Sequence, residues 1–369
     1  MRVLVNAISA RTGGGRMFAI EQVAALSRIA GVHVAAVVPD TTAADLRGQC
    51  ASGTTVLAQP HRGLLRRVWF EQVLLPFTAR KYDVVYLTGN FAMFASPRPQ
   101  VVTFHNPHHF GRAQRAFWRD RYPLGARARL ELERAVALLT VRRAEALVVV
   151  SHTFRESVEE DTGKRPNVHL IPSARPGVPL RADGSKRYPM PPGPYVLAVA
   201  NDYRHKDWDG LIRTFLEEPQ LPRLVLVGEC RSEDRMQRLK RSVEALSDDS
   251  RVVLLGKTTD RDEIAALYAG AAAYVAHSFL ETFGFTPLEA LASGLPVVAS
   301  DIPPHRETCG ADATYYDPGD SNALAGAVLS AVERGRSAPR SDGDSAWGWD
   351  ANARALAELL HQVARNPAA

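Results

Sequence analysis

Ala273-Tyr-Val-Ala276, Glu281-Thr-Phe-Gly-Phe-Thr-Pro-Leu-Glu289 and Val297-Val-Ala299 read in order as a strand, a loop that feeds a helix, and a second strand. Thr286 is a suitable N-cap, Pro287 suits the first helical position, and Glu289 stands three residues after the cap. Gly294 and Pro296 end the helix about two turns later. In an open parallel sheet such a loop lies at the carboxyl ends of strands, where ligands bind, and a helix N-terminus offers unpaired N–H groups to a phosphate. Glu281 reaches that place from the loop and Glu289 from the first helical turn. Local sequence leaves two readings of Glu289 open, a capping-box residue or a ligand contact.

The same alternation extends in both directions. Apolar runs of strand length recur at 3–8, 32–38, 54–57, 83–87, 101–104 and 146–150, with helical patterns at 17–29, 64–80 and 126–142 between them. Residues 172–194 carry seven prolines and several glycines, which marks a linker. Strands then resume at 195–199, 224–227, 252–255, 273–276 and 297–299, separated by helices near 209–217, 232–246, 262–269 and 287–293. A chain of 369 residues exceeds the size at which single cores stop growing. The expectation is therefore α/β architecture with two Rossmann-like domains, at 1–180 and 181–345, and a helical segment from 346 to 369.

Charge is uneven. Residues 1–180 hold 24 Lys and Arg against 13 Asp and Glu, whereas the remainder holds 21 against 27, so the halves carry +11 and −6. A basic first half suits an anionic membrane surface or a phosphate-bearing acceptor. Interleaved aromatic stacking residues for nucleic acid are not evident, so no nucleic-acid partner is expected. No run of about 18 apolar residues exists and Met1-Arg-Val-Leu-Val5 enters a strand directly, so neither a transmembrane helix nor a signal peptide is expected. Cys50, Cys230 and Cys309 lack metal spacing and read as thiols in a reducing cytoplasm.

The stretch from His277 to Pro318 resembles the donor-site segment of the retaining family 4 glycosyltransferases, through Ser278, Glu281, Phe283-Gly284, Pro287-Leu-Glu-Ala290, Ser293-Gly-Leu-Pro-Val-Val298, Asp301-Ile-Pro303, Arg306-Glu307 and the Asp317-Pro-Gly-Asp320 turn at its end. That resemblance implies the GT-B fold, two Rossmann-like domains with parallel sheets facing across a cleft, the second holding a nucleotide-sugar donor and the last helix crossing back to the first domain. It implies that Glu289 binds the ribose hydroxyls, and that Glu281 with the backbone of Phe283, Gly284 and Phe285 holds the sugar hydroxyls. Lys206, Arg204 and the backbone N–H groups of Thr286 and Leu288, on either side of Pro287, would take the diphosphate. Many members also carry an arginine directly after the strand, where this chain has Ala200-Asn201, and Arg204 stands in for it. Gly13, Gly14 and Gly15 form the glycine-rich connection near donor phosphates and acceptor, with Arg11 and Arg16 beside them, and His105 resembles the residue that contacts the donor sugar from the first domain. Each has a plainer reading: a solvated lysine, a flexible turn, and a polar strand end. Asn90 is a further candidate at a strand end.

His105, His108 and His109 lack a carboxylate at metal-ligand spacing, and the Asp-x-Asp patterns at 207–209 and 260–262 are explained as helix-start acids, so no required metal is expected. The pattern at 64–80 reads as a core-facing amphipathic helix, with contact to a lipid-linked acceptor as its alternative. The expected activity is transfer of a hexosyl group to the hydroxyl of a polysaccharide, a lipid-linked sugar or a small molecule. The expected compartment is the cytoplasm, with peripheral contact at the inner membrane face left open. Two rivals are a nucleotide-sugar 2-epimerase on the same architecture and a non-catalytic nucleotide-sugar-binding protein.

Overall fold

The computed structural model describes residues 1–60, 63–165, 167–174, 193–246, 251–258, 260–338 and 348–366. The chain divides into two compact units, Met1–Ala174 with Ala346–Ala369, and Arg175–Ser345. The boundary expected at residue 180 and most of the proline-rich stretch lie outside the described residues.

The first unit is built on seven strands, β1 (Arg2–Asn6), β2 (His33–Pro39), β3 (Thr55–Gln59), β4 (Val84–Leu87), β5 (Gln100–Phe104), β6 (Ala146–Val149) and β7 (Val168–Leu170). All pair in parallel in the order β3-β2-β1-β4-β5-β6-β7. β1, β4, β5 and β6 read as unbroken apolar runs because both faces of a parallel sheet are covered. The final helix, Trp349–Arg365, buries Leu356, Leu360 and Val363 in the same core as Val3 and Val5. A polar chain fixes its register: Tyr86 Oη donates to Gln22 Oε1 (2.5 Å), Gln22 Nε2 to Asn352 Oδ1 (2.9 Å), and Asn352 Nδ2 to the Pro172 carbonyl (2.8 Å). Breaking one link strands a buried polar group, at about 1–3 kcal/mol.

The second unit carries β8 (Tyr195–Val199), β9 (Arg223–Val227), β10 (Val252–Gly256), β11 (Ala273–Ala276), β12 (Val297–Ser300) and β13 (Ala313–Tyr316). These pair in parallel in the order β10-β9-β8-β11-β12-β13. Apolar clusters cover both faces, one centred on Trp208 and Phe215, the other on Tyr268 and Tyr274. Gly228, just after β9, has no room for a side chain: a Cβ there would lie 1.8 Å from the Ala200 carbonyl oxygen.

Residues 64–80 depart from the core-facing helix expected. Gly63–Trp69 is α-helical, Phe70–Leu74 a π-helix, and Leu75–Ala79 α-helical again, and within it only Leu75 and Ala79 are buried among the described residues. Seven large apolar side chains face solvent instead. No helix among the described residues is long and apolar enough to cross a membrane.

Candidate active site

In both sheets the strand order reverses beside the unit's first strand, between β1 and β4 and between β8 and β11. Loops leave such a point toward opposite faces and open a crevice at the carboxyl ends. Lys206 follows β8 and Glu281 follows β11, so the two flank the reversal in the second unit.

Backbone bonds bring them together. The His205 carbonyl accepts from Phe279 N (2.7 Å), and the one Ser278 hydroxyl proton is shared between the Leu280 carbonyl (2.7 Å) and the His205 carbonyl (3.2 Å). Ser278 N in turn donates to Ser300 Oγ (2.9 Å) at the end of β12. Three strand ends are thus tied at one point, and the Lys206 ammonium pairs with the Glu281 carboxylate. An ammonium has three donors, so Lys206 keeps donors beyond this pair. Asp207, held at φ 37°, caps the helix Trp208–Glu217 by accepting from Gly210 N (3.3 Å). Asp209, in the first turn of the same helix, pairs with Arg235 (3.0 Å). Arg204 lies exposed on the short 3-10 turn Arg204–Lys206.

The helix after Glu281 starts earlier than its sequence indicates. It spans Phe285–Ala292 and its N-cap is Gly284, not Thr286. Gly284 turns the chain at φ 91°, a conformation glycine alone adopts at little cost, and so places Phe285 in the first turn. Thr286, Pro287 and Leu288 therefore sit inside the helix, and Glu289 stands too far along it for a capping box. Its carboxylate accepts from Tyr268 Oη (2.9 Å). Burial and this negative charge raise the Tyr268 phenol well above its ordinary pKa, which keeps it a donor. Arg336 locks the arrangement, donating to the carbonyls of Tyr268, Ala271 and Ser293 at 2.8–2.9 Å.

Two histidines that sequence reasoning missed complete the surroundings. His305 is 1% exposed and contacts the Ser300 carbonyl through Nδ1 (3.0 Å). A carbonyl only accepts, so Nδ1 carries the proton and Nε2 is left as an acceptor. Burial first, with Glu281 and Lys206 pulling in opposite senses, holds its pKa at about 4. Its ring packs against Gly284, where a Cβ would meet it at 3.4 Å. His277 lies 2.5 Å from Tyr316 Oη through Nδ1 and 3.8 Å from Asp207 through Nε2. A pocket is lined by Lys206, His277, Glu281, Thr286, Pro287 and His305 together with strand residues of β8 and β11. The signal for His305 was its place just after the two prolines that open the helix Pro303–Cys309.

In the first unit Gly13, Gly14 and Gly15 do not form a connecting loop but the exposed first turn of the helix Gly13–Ser27, with Gly13 at φ 58°. Asn90, at φ 69°, accepts from the backbone N–H of His105 (2.5 Å) and Asn106 (3.1 Å), so its side chain holds the start of that loop. His105 packs edge-on against Phe18 with centroids 4.2 Å apart, and burial lowers its pKa to about 4. His109 Nε2 lies 3.1 Å from Asn106 Nδ2 and 3.6 Å from Glu133. No group of three His, Cys, Asp or Glu among the described residues is placed to hold a metal ion.

Residues 12–175 match the family model described as Glycosyltransferase Family 4, and residues 186–342 match that described as Glycosyl transferases group 1. Both matches are to glycosyltransferase models, and together they support a glycosyltransferase of the family 4 type. The chain is 27% identical over 192 residues to the O-antigen chain mannosyltransferase RfbU of Salmonella typhimurium, a stretch that covers 52% of each chain. The match thus spans about half the length of that relative. The whole chain is similar in fold to sucrose-phosphate synthase from Thermosynechococcus elongatus, with a TM-score of 0.70 at 19% identity over 98% of this chain and 99% of that one. It is likewise similar to Anabaena HepE, solved in complex with UDP and glucose, with a TM-score of 0.68 at 20% identity over 99% of both. The two parallel-sheet units are those of the GT-B class.

Proposed function

We propose that the chain is a retaining hexosyltransferase that moves a sugar from a nucleotide diphosphate donor to an acceptor hydroxyl. The observation that carries this reading is the Lys206–Glu281 pair at the strand-order reversal of the second unit, beside the helix that Gly284 opens. In this reading the remaining donors of Lys206 and the first N–H groups of the helix Phe285–Ala292 take the diphosphate, and Arg204 adds charge at the rim. Glu281 and the backbone of Phe283 to Phe285 accept and donate to the sugar hydroxyls. Glu289, already fixed by Tyr268, accepts from the ribose hydroxyls.

Transfer then proceeds on one face of the sugar. The bond from the anomeric carbon to the phosphate oxygen breaks as the bond to the acceptor oxygen forms. The acceptor's proton passes to the departing phosphate oxygen, so no side-chain base is needed. Lys206 and the helix N–H groups stabilise the negative charge on the leaving group, which is electrostatic preorganisation rather than covalent catalysis. These groups supply positive charge without a divalent ion, so turnover is expected to persist in EDTA. His105, Gly13, Gly14 and Gly15 are assigned to donor and acceptor contact from the first unit. The similarity to a mannosyltransferase of O-antigen chains favours a saccharide acceptor, polymeric or lipid-linked.

Thermal-shift measurements with UDP, GDP, ADP and dTDP, then with their sugars, identify the donor, because a ligand of the folded form raises its melting temperature. NMR of the product then reads the anomeric configuration. Inversion would remove the retaining mechanism, donor conversion without acceptor would favour the epimerase, and no turnover on a broad acceptor panel would favour a binding protein.

A further inference from the structure

The α–π–α segment at 63–79 exposes its apolar side chains in two lines. Leu64, Val68, Val73 and Phe77 form one, and Leu65, Trp69 and Leu74 the other. The first line steps by four, five and four residues and the second by four and five, and the five-residue steps, 68 to 73 and 69 to 74, fall on the π-helix Phe70–Leu74. Hydrogen bonding from i to i+5 puts more residues into the turn there than the 3.6 of an α-helix, which accommodates the extra residue and keeps both lines exposed. Leu65 is 84%, Phe77 59% and Trp69 54% exposed. The opposite face is anchored: Leu75 and Ala79 are fully buried, and Glu71 accepts from Asn6 Nδ2 (3.0 Å) at the end of β1. Phe94, whose N–H donates to Gln72 (2.9 Å), extends the apolar surface.

Cations border it. Arg66, Arg80, Lys81 and Arg98 are exposed, and among the described residues none has an ion-pair partner. Arg80 lies 5.1 Å from the Phe77 ring, and Arg98 donates to the Arg80 carbonyl (2.9 Å). The nearby acids are committed, Glu71 to Arg67 and Asp83 to Arg2. A contiguous exposed apolar surface calls for a partner, and one bordered by unpaired cations calls for an anionic one.

We propose that the outward face of residues 63–81 docks on an anionic lipid bilayer, with Leu65, Trp69 and Phe77 at the boundary of headgroups and acyl chains and the four cations among lipid phosphates. A second copy of the chain fits less well. A two-fold contact through this face sets its own unpaired cations against one another.

Co-sedimentation of the full chain with vesicles of phosphatidylglycerol in phosphatidylcholine, against phosphatidylcholine alone, tests this independently of any transferase activity. The chain is expected to pellet with the anionic vesicles and to be released as salt rises. Leu65→Glu with Trp69→Glu, both on exposed side chains, and separately Arg66→Glu with Arg80→Glu, should each weaken binding at least ~10-fold, since each basic residue near such a surface contributes about a decade or somewhat less. Circular dichroism and melting temperature should stay unchanged. Retention in the supernatant, equal binding by the variants, or concentration-dependent dimerisation abolished by Trp69→Glu without vesicle binding would each overturn the proposal.

Discussion

The two strand-order reversals solve one geometric problem with different chemistry. In the second unit the reversal is set with charges: Lys206 against Glu281, Asp207 at a helix start, and Glu289 held by a phenol. In the first the strand-end groups are mostly neutral, Asn90 on the backbone of His105 and a glycine run at a helix start, and the neighbouring Arg16 is paired with Asp45. Glu71, a carboxylate that reaches the end of β1 there, is paired with Arg67. Under the proposed function the contrast assigns electrostatic stabilisation mainly to the second unit and shape and hydrogen bonding to the first. Substitutions should therefore split by unit.

Lys206→Ala is the sharpest way to break that division. Removing one preorganised donor to a developing oxyanion costs about 10²–10³ in turnover, roughly 3–4 kcal/mol. His105→Ala should cost clearly less, being a single neutral contact. Steady-state kinetics of both variants decide it, and a larger loss at His105 would move the electrostatic burden into the first unit.

Acid pH comes next in size. His305 in the second unit and His105 and His108 in the first all have pKa values lowered to about 4, mainly by burial. A group that binds its proton less well when folded contributes stability that is complete above its unfolded pKa, about 6.5, and is lost as pH falls toward 4. For His305 the loss is roughly 3 kcal/mol. The first unit carries two such rings, so between pH 6 and 4.5 its amides should lose protection in hydrogen exchange before those of the second, and the reverse order would break the comparison.

Much of this was legible in the chain before any coordinates. Eleven strands announced themselves because parallel strands buried on both faces are continuous apolar runs. β7 has only three residues, and β13 (Ala-Thr-Tyr-Tyr) mixes polar and aromatic positions, so neither stood out. The Glu281 to Glu289 stretch was legible as a site, but its helix start was not. Thr286-Pro287 carries the stronger capping signal, and only the left-handed turn at Gly284 moves the start by two residues. Tyr268 could not be found by spacing, since its partner lies on another element, and His305 only through its place after Pro303-Pro304. The segment at 64–80 misled because amphipathic periodicity reports that a helix has an apolar face, not what covers it.

A smaller effect tests the Glu289 carboxylate. Glu289→Ala should weaken nucleotide binding about tenfold or more, the scale of a hydrogen bond to a charged group. Tyr268→Phe should act in the same direction but by less, because the carboxylate remains and loses only its fixed orientation. Unchanged affinity in titration calorimetry for both variants would leave Glu289 as a residue that braces two helices.

The smallest effects come from the glycine run, and there stability and activity should part. Gly13 sits at φ 58°, where an alanine costs about 1–2 kcal/mol, so Gly13→Ala should lower the urea midpoint. Gly15 is helical with nothing within 4 Å of its would-be Cβ, so Gly15→Ala should raise stability by about 0.5–1 kcal/mol. If this turn must approach a substrate closely, the more stable Gly15→Ala chain will still lose turnover. If the run serves only to start the helix Gly13–Ser27, that variant gains stability and keeps its activity, and the first unit's share of the chemistry then rests on His105 alone.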